Sequence, residues 1–253
     1  MTDYHQIILF AGGLLAGVIN VVAGGAGFMT FPLLVATGLT EMEANACNFV
    51  ALLPANIVGA LVYRKELWQL HPGLVPRLTL AAVGGVVGSL LFVKLGAASF
   101  LSAIPWLLLF ATLCFTFGPR LKKKLVTIPS FDPRKWLGVS LLLELSVFIY
   151  GGYFGLGMGI ILMAIYAIFS PMNIHQANAL RNTSIAIMTV IGVLVFSRSG
   201  LVRWEPALTM MAGAVIGGYC TAKIVRNLPG HIVRIAIIGW SFILTAYAFW
   251  HYW

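Results

Sequence analysis

Apolar runs separated by short polar or glycine-rich breaks repeat along the whole chain. They predict ten segments, at about 5–22, 28–38, 43–63, 72–95, 98–118, 136–150, 156–169, 176–197, 204–223 and 231–250. Most are long enough to cross a hydrocarbon core of ~30 Å. The exceptions are 28–38 and 156–169, which at ~1.5 Å of rise per residue reach only about 16 and 21 Å and read as half-helices. The longest polar stretch, "GPRLKKKLVTIPSFDPRKW" at 118–136, carries seven charges and three prolines near the midpoint of the chain and reads as a linker.

The two sides of that linker repeat one another. With a shift of 133, Ala44-Asn45-Ala46 falls on Ala177-Asn178-Ala179, Gly24 on Gly157, Gly59 on Gly192, and Leu61-Val62 on Leu194-Val195. Further on the shift becomes 129, and Gly84, Val86, Gly88 and Lys94 fall on Gly213, Val215, Gly217 and Lys223. The pattern predicts a first membrane repeat at 1–118, a basic linker at 119–135 and a second repeat at 136–253. Each repeat has five segments, the first two forming either a re-entrant hairpin or a full up-and-down pair. An odd segment number inverts the second repeat with respect to the first, so the expected fold is an all-α integral membrane protein made of two inverted five-segment repeats. Each repeat would hold one broken helix pair and roughly three further spanning helices.

Composition agrees with a membrane protein and excludes a soluble domain. Sixty per cent of the 253 residues are hydrophobic and 9% charged, with a mean hydropathy of +0.96. A net charge of +9 would suggest nucleic acid in a soluble protein, but here it is expected from basic cytoplasmic loops. If the linker, with Arg120, Lys122, Lys123, Lys124, Arg134 and Lys135, is cytoplasmic, the same side receives Arg64, Lys65, Arg77, Lys223, Arg226 and Arg234. Lys94, Arg198 and Arg203 fall outside, so twelve basic residues against three place both termini outside. The start of the chain lacks a basic n-region, and the first helix is expected to be retained.

The glycines indicate where the chemistry lies. Breaks at "NVVAGGAGF" (20–28) and "YGGYFGLGMG" (150–159) interrupt otherwise apolar runs. A broken helix in lipid leaves backbone N–H and C=O groups unpaired at several kcal/mol each, so each break must be satisfied by protein or line a cavity. A short helix starting after glycines points free N–H groups and the positive end of its dipole into that space, which favours an anion, though the dipole alone contributes only ~0.3–1 kcal/mol. Paired breaks in inverted repeats are the build of many secondary transporters. Candidate substrate-binding positions are therefore Asn20, Gly24, Gly25 and Gly27 in the first break and Gly152, Gly155, Gly157 and Gly159 in the second. Asn45 and Asn48 join them after the first half-helix, and Asn178, Arg181 and Asn182 after the second. Amides and a guanidinium suit an oxyanion. Asn45 and Asn178 are equally readable as helix N-caps, Arg181 as a snorkelling surface residue, and the glycines within long segments (Gly84, Gly85, Gly88, Gly213, Gly217, Gly218) as packing contacts.

Glu144 lies about 12 Å along the segment 136–150, where an ionisable group is expensive. It is either a proton carrier coupled to substrate or an Arg-paired or protonated structural carboxylate. The three cysteines, Cys47, Cys114 and Cys220, lack metal-ligand spacing and read as small packing residues, and the five histidines fall at segment ends. No metal or cofactor motif is present, and no nucleophile–base or HExxH arrangement supports an enzyme.

On "GVINVVAGGAGFMTFPLLVATGL", "ANACNFVALLPANIVGALVY", "YGGYFGLGMG", "ANALRNTSIAIMTVIGVLVF" and "GLVRWEPALTMMAGAVIGGYCTAKIVRNLP", the chain resembles the TauE/SafE family of sulfite exporters, also called TSUP permeases, over essentially its full length. Where that family often has an unbroken glycine run in the first motif, this chain has Ala26. The resemblance implies a multi-pass carrier of the bacterial inner membrane for sulfite, sulfonates or related sulfur oxyanions, with Gly24, Gly25, Gly27, Gly152, Gly155, Gly157, Gly159, Arg181 and Asn182 at motif positions. It leaves open an anion channel and a carrier of small carboxylates. The expected partners are a small anion, the lipid bilayer and a second copy in a homodimer, with no nucleic acid.

Overall fold

The structure is a computed structural model, and it describes residues 3–22, 25–70, 73–125, 136–170, 172–224 and 230–253. Among these residues there are ten helices and no strand: α1 (Asp3–Val22), α2 (Gly27–Ala36), α3 (Glu41–Val62), α4 (Arg64–Trp68), α5 (Leu74–Leu125), α6 (Leu137–Tyr153), α7 (Met158–Phe169), α8 (Ile174–Arg198), α9 (Trp204–Ile224) and α10 (Gly230–Tyr252). Four stretches are long and apolar enough to cross a membrane: Glu41–Val62, Leu74–Phe117, His175–Arg198 and Ile232–Tyr252. The second has 44 residues, ~66 Å if straight and about twice a bilayer core. It is interrupted at Gly96, whose φ of 70° and ψ of −173° are not helical, which restores the two segments expected at 72–95 and 98–118. With 10 and 12 residues, α2 and α7 are too short to span, as expected of half-helices. The short α4 was not anticipated.

Two compact units are present, each taking helices from both sequence halves. The first comprises Met1–Ala55, Val93–Thr112 and Val193–Trp253, the second Asn56–Phe92 and Leu113–Gly192. In the first, α1 and α9 meet through glycines: a Cβ on Gly13 or Gly17 would come within 2.3 or 2.2 Å of the carbonyls of Met210 or Ala214, and one on Gly213 or Gly217 within 2.2 or 2.0 Å of those of Phe10 or Leu14. Backbones this close need small residues, because lipid supplies no hydrophobic drive to bring helices together. The second unit repeats the device between α5 and α6, where a Cβ on Gly84 would lie 2.4 Å from Phe148 Cβ and one on Gly88 2.2 Å from the Ile149 carbonyl.

Two helix starts are capped alike. Thr40 Oγ1 accepts from the Glu43 N–H while Glu43 Oε2 accepts from the Thr40 N–H, and α3 follows. Before α8, Asn173 Oδ1 accepts from the N–H groups of His175 and Gln176, and Gln176 Oε1 accepts from the Asn173 N–H. Both are capping boxes. They correct the N-cap reading of Asn45 and Asn178, each of which is the fifth residue of its helix.

Candidate functional site

In the second unit α6 ends at Tyr153 and the chain turns through Gly155 (φ 82°) and Gly157 (φ 76°) before α7 begins at Met158. Both residues are in the left-handed region, where a side chain is strained and glycine is not. The turn is pinned by the Tyr150 hydroxyl, which donates to the Leu156 carbonyl at 2.6 Å. No side chain caps the start of α7. Over its first turn lies Arg181 from α8: a Cβ on Gly159 would sit 3.1 Å from Arg181 Nε and 3.4 Å from Cζ. That Nε is shielded from solvent and has no hydrogen-bond partner. A guanidinium beside the positive end of a helix dipole is an arrangement that charge alone disfavours and that an anion between them would stabilise.

Two buried hydroxyls belong to the same group. Ser184, one turn along α8 from Arg181, and Tyr166, on α7, are both fully buried, and their hydroxyls lie beside each other. Tyr63 and Tyr166 are near enough to act on the Arg181 charge. The ring of Tyr166 also serves a second group, standing 5.5 Å below the Arg77 guanidinium.

That second group contains Glu144. Arg77 Nη1 donates to Glu144 Oε1 at 2.7 Å, Arg77 Nη2 donates to the Ser170 hydroxyl at 2.9 Å, and the Ser140 hydroxyl donates to Oε1 at 2.9 Å. Arg77 is 5% exposed and Glu144 not at all, and Glu144 Oε2 has no partner. Of the two readings of Glu144, the Arg-paired carboxylate is what is observed. Arg77, counted above among the basic residues of the linker side, is a buried helix residue: it lies in α5 on the stripe Leu74, Arg77, Ala81, Gly84, Gly88, all buried.

The other expected positions are distributed as follows. Gly152 packs in α6, where a Cβ would be 2.8 Å from the Gly85 carbonyl. Asn182 faces 56–62, its Nδ2 donating to the Gly59 carbonyl at 3.4 Å, so the neighbours Arg181 and Asn182 leave α8 on different faces. Asn178 is half-buried one turn earlier. In the first unit Gly25 has φ 85°, Gly27 opens α2 and is buried, and Gly24 lies outside the described residues. Asn20 is half-buried in α1. Asn45 and Asn48 are buried on α3, and the Thr30 hydroxyl donates to Asn48 Oδ1.

Sequence reasoning missed Arg77, Tyr166, Ser140 and Ser170. The three- and four-residue spacing of Arg77 with Ala81, Gly84 and Gly88 was the available signal, since it puts the arginine on the small-residue face that packs. Tyr166 carried a weaker one, as the lone polar atom in the run "IILMAIYAIF".

The chain is similar to known membrane transporters. The chain is 26% identical over 250 residues to a probable membrane transporter protein of Haemophilus influenzae, an alignment spanning 94% of this chain and 92% of the relative. It is 25% identical over 242 residues to the probable membrane transporter protein YfcA of Escherichia coli K12, spanning 94% and 87%. A Sinorhizobium relative, probable membrane transporter protein ORF9, is 24% identical over 241 residues, spanning 92% and 90%. No solved structure gives a significant match. The family model described as sulfite exporter TauE/SafE matches residues 9–248, nearly the whole chain, and the protein is therefore a membrane transporter belonging to the TauE/SafE family.

Proposed function

We propose that this transporter is a secondary carrier of small anions, with sulfite, sulfonates and related sulfur oxyanions as its substrate class, and that the anion binds at the α6–α7 break. The observation that carries this reading is the unpartnered, buried Arg181 Nε over the uncapped start of α7. A tetrahedral or pyramidal oxyanion seated there would accept from Arg181 and from the Ser184 and Tyr166 hydroxyls, and would give Arg181 Nε the partner it lacks. Sulfur comes from the family alone; the geometry supports an oxyanion.

We further propose that the halves are inverted repeats. The two capping boxes stand at an offset of 133, Asn56 bonds Thr189 at that offset in the second unit, and past the change of shift Thr112 donates to the Ser241 carbonyl at the offset of 129 in the first. An inverted repeat provides the two equivalent states that alternating access requires. On this reading the basic linker is cytoplasmic in a bacterial inner membrane, with both termini outside.

The test is a thermal-shift screen of the purified full-length protein against sulfite, sulfate, thiosulfate, sulfoacetate, taurine, lactate and chloride at matched ionic strength, followed by counterflow in proteoliposomes with the anion that stabilises best. Stabilisation by an oxyanion, lost in Arg181→Ala, is expected, as is exchange of labelled anion against a trans gradient. Wild-type flux in Arg181→Ala would remove the site from this break, and flux without counterflow would make the protein a channel.

A further inference from the structure

We propose that the half-enclosed cavity beside Arg77 is a second anion station in the same unit, and that the Glu144 carboxylate is a tethered anion holding the Arg77 guanidinium when no free anion is bound. This rests on the reading that the protein carries anions. The cavity has a volume of about 370 Å³ and is bordered by Arg77, Ser170, Gln69 and Gln176 among apolar side chains, with no Asp or Glu among the described lining residues. At about 30 Å³ per water it has room for roughly a dozen waters, or an oxyanion keeping part of its hydration. Its polar rim offers a guanidinium, a hydroxyl and two amides, which together can donate to an anion and leave a cation without a counter-charge.

Glu144 completes the device from behind. Leu137 and Leu141 of α6 line the cavity, and Ser140 and Glu144 continue that face of the helix around to Arg77. A buried ion pair selected only for stability would have all its lone pairs satisfied. Here Glu144 Oε1 accepts two hydrogen bonds while Oε2, equally buried, accepts none. Arg77 comes from α5, and among the described residues the other titratable group facing Glu144 is Tyr166 from α7. When an anion enters and takes the guanidinium, Glu144 loses the one counter-charge it has among the described residues, in an apolar setting, and takes a proton delivered from bulk solvent through the cavity. The proton cancels one charge of the entering anion, so a monovalent anion enters with no net charge buried and a dianion such as sulfate with one negative charge rather than two. Tyr166 belongs to both stations, with its ring under Arg77 and its hydroxyl beside Ser184, and provides a step from the cavity to the Arg181 group.

The experiment measures equilibrium binding of labelled sulfate, whose charge is constant from mildly acidic to mildly alkaline pH, to the full-length protein in detergent. Wild-type affinity is expected to rise several-fold as pH falls. Glu144→Gln is expected to bind about tenfold more tightly at mildly alkaline pH and to lose most of the pH dependence. The double variant Arg77→Met with Glu144→Leu, which removes both charges and keeps the volume, is expected to fold and to show neither gain. A purely structural Glu144 would lower the melting temperature on substitution without tightening sulfate. Unchanged affinity and pH slope in Glu144→Gln would overturn the inference; if Arg181→Gln then abolishes binding, the Arg181 site stands without the latch. Tighter binding by Glu144→Gln that survives in an Arg181→Gln background would uphold the station and remove the Arg181 site. Absence of sulfate binding in the wild type and Glu144→Gln alike would overturn both.

Discussion

The two helix breaks solve the same problem and end in different states. In the first unit α2 begins after Gly25 and Ala26, the Thr30 hydroxyl bonds Asn48 on α3, and the Trp240 indole from α10 donates to the Phe28 carbonyl at 3.0 Å. That carbonyl needs an outside donor because Pro32, four residues on, has no N–H to return. In the second unit α7 begins after Gly155 and Gly157, and beside it the buried Arg181 Nε has no hydrogen-bond partner. At the offset of 133, Asn48 and Arg181 are counterparts, and so are Ala26 and Gly159. One break is thus closed by side chains from its own unit, and the other holds a buried guanidinium nitrogen without a partner over a helix start. A break lined by unpaired donors is costly to fold and useful only if a ligand completes it.

The largest expected effect breaks the second site. Arg181→Ala should lower anion affinity by about 100-fold, or ~2.7 kcal/mol, with the melting temperature of the anion-free protein unchanged or raised, because a charge opposed by the helix dipole has gone. Ligand-dependent thermal shifts read both quantities. Gly159→Ala is the milder version. The new Cβ would sit 3.1 Å from Arg181 Nε, tighter than ordinary contact, and the arginine must give way by a few tenths of an ångström. Gly159 does not have positive φ, so alanine suits the helix and adds up to ~1 kcal/mol of stability. A loss of affinity of about tenfold without a loss of stability is expected, and full affinity would show that Arg181 does not hold the anion at this turn.

Much of this was legible in the residues. The half-helices, the break at Gly96 and the glycine contacts follow from run lengths and small-residue spacing, which report on a bilayer of fixed thickness and on backbones that must approach closely. The α6–α7 break and Arg181 were legible for a related reason, since five glycines and a charge inside apolar runs contradict their surroundings. What was not legible depends on long-range pairing. Arg77 near a segment start looks like a loop charge until Glu144, 67 residues away, closes on it. Arg181 and Asn182 look like one polar pair until α8 is packed on two sides, with Gly159 against one residue and Gly59 against the other.

Smaller effects test the closed break. Thr30→Val keeps the side-chain shape, removes the bond to Asn48 and leaves an amide without that partner. In membranes such bonds average ~0.6 kcal/mol with a maximum near 1.7, so a small fall in melting temperature is expected with anion affinity unchanged. A matching fall in affinity would show that the first break also binds the anion and that the two sites are not as different as their hydrogen bonding.

A double-mutant cycle examines why the first break is closed at all. If Trp240 takes the place of the N–H that Pro32 lacks, then Trp240→Phe should cost about 0.5–1.5 kcal/mol in the wild-type background. Pro32→Ala restores an N–H at the position that bonds Phe28, so the same Trp240→Phe change should then cost little beyond the lost indole contacts. The difference between the two costs, obtained from a double-mutant cycle of melting temperatures, isolates the interaction because neither single change introduces a new polar group on the α10 side. Equal costs in both backgrounds would mean that Trp240 is held by packing in the apolar groove between α2 and α10, where it also lines a cavity with Phe28 and Pro32, and that the Phe28 carbonyl is satisfied without it.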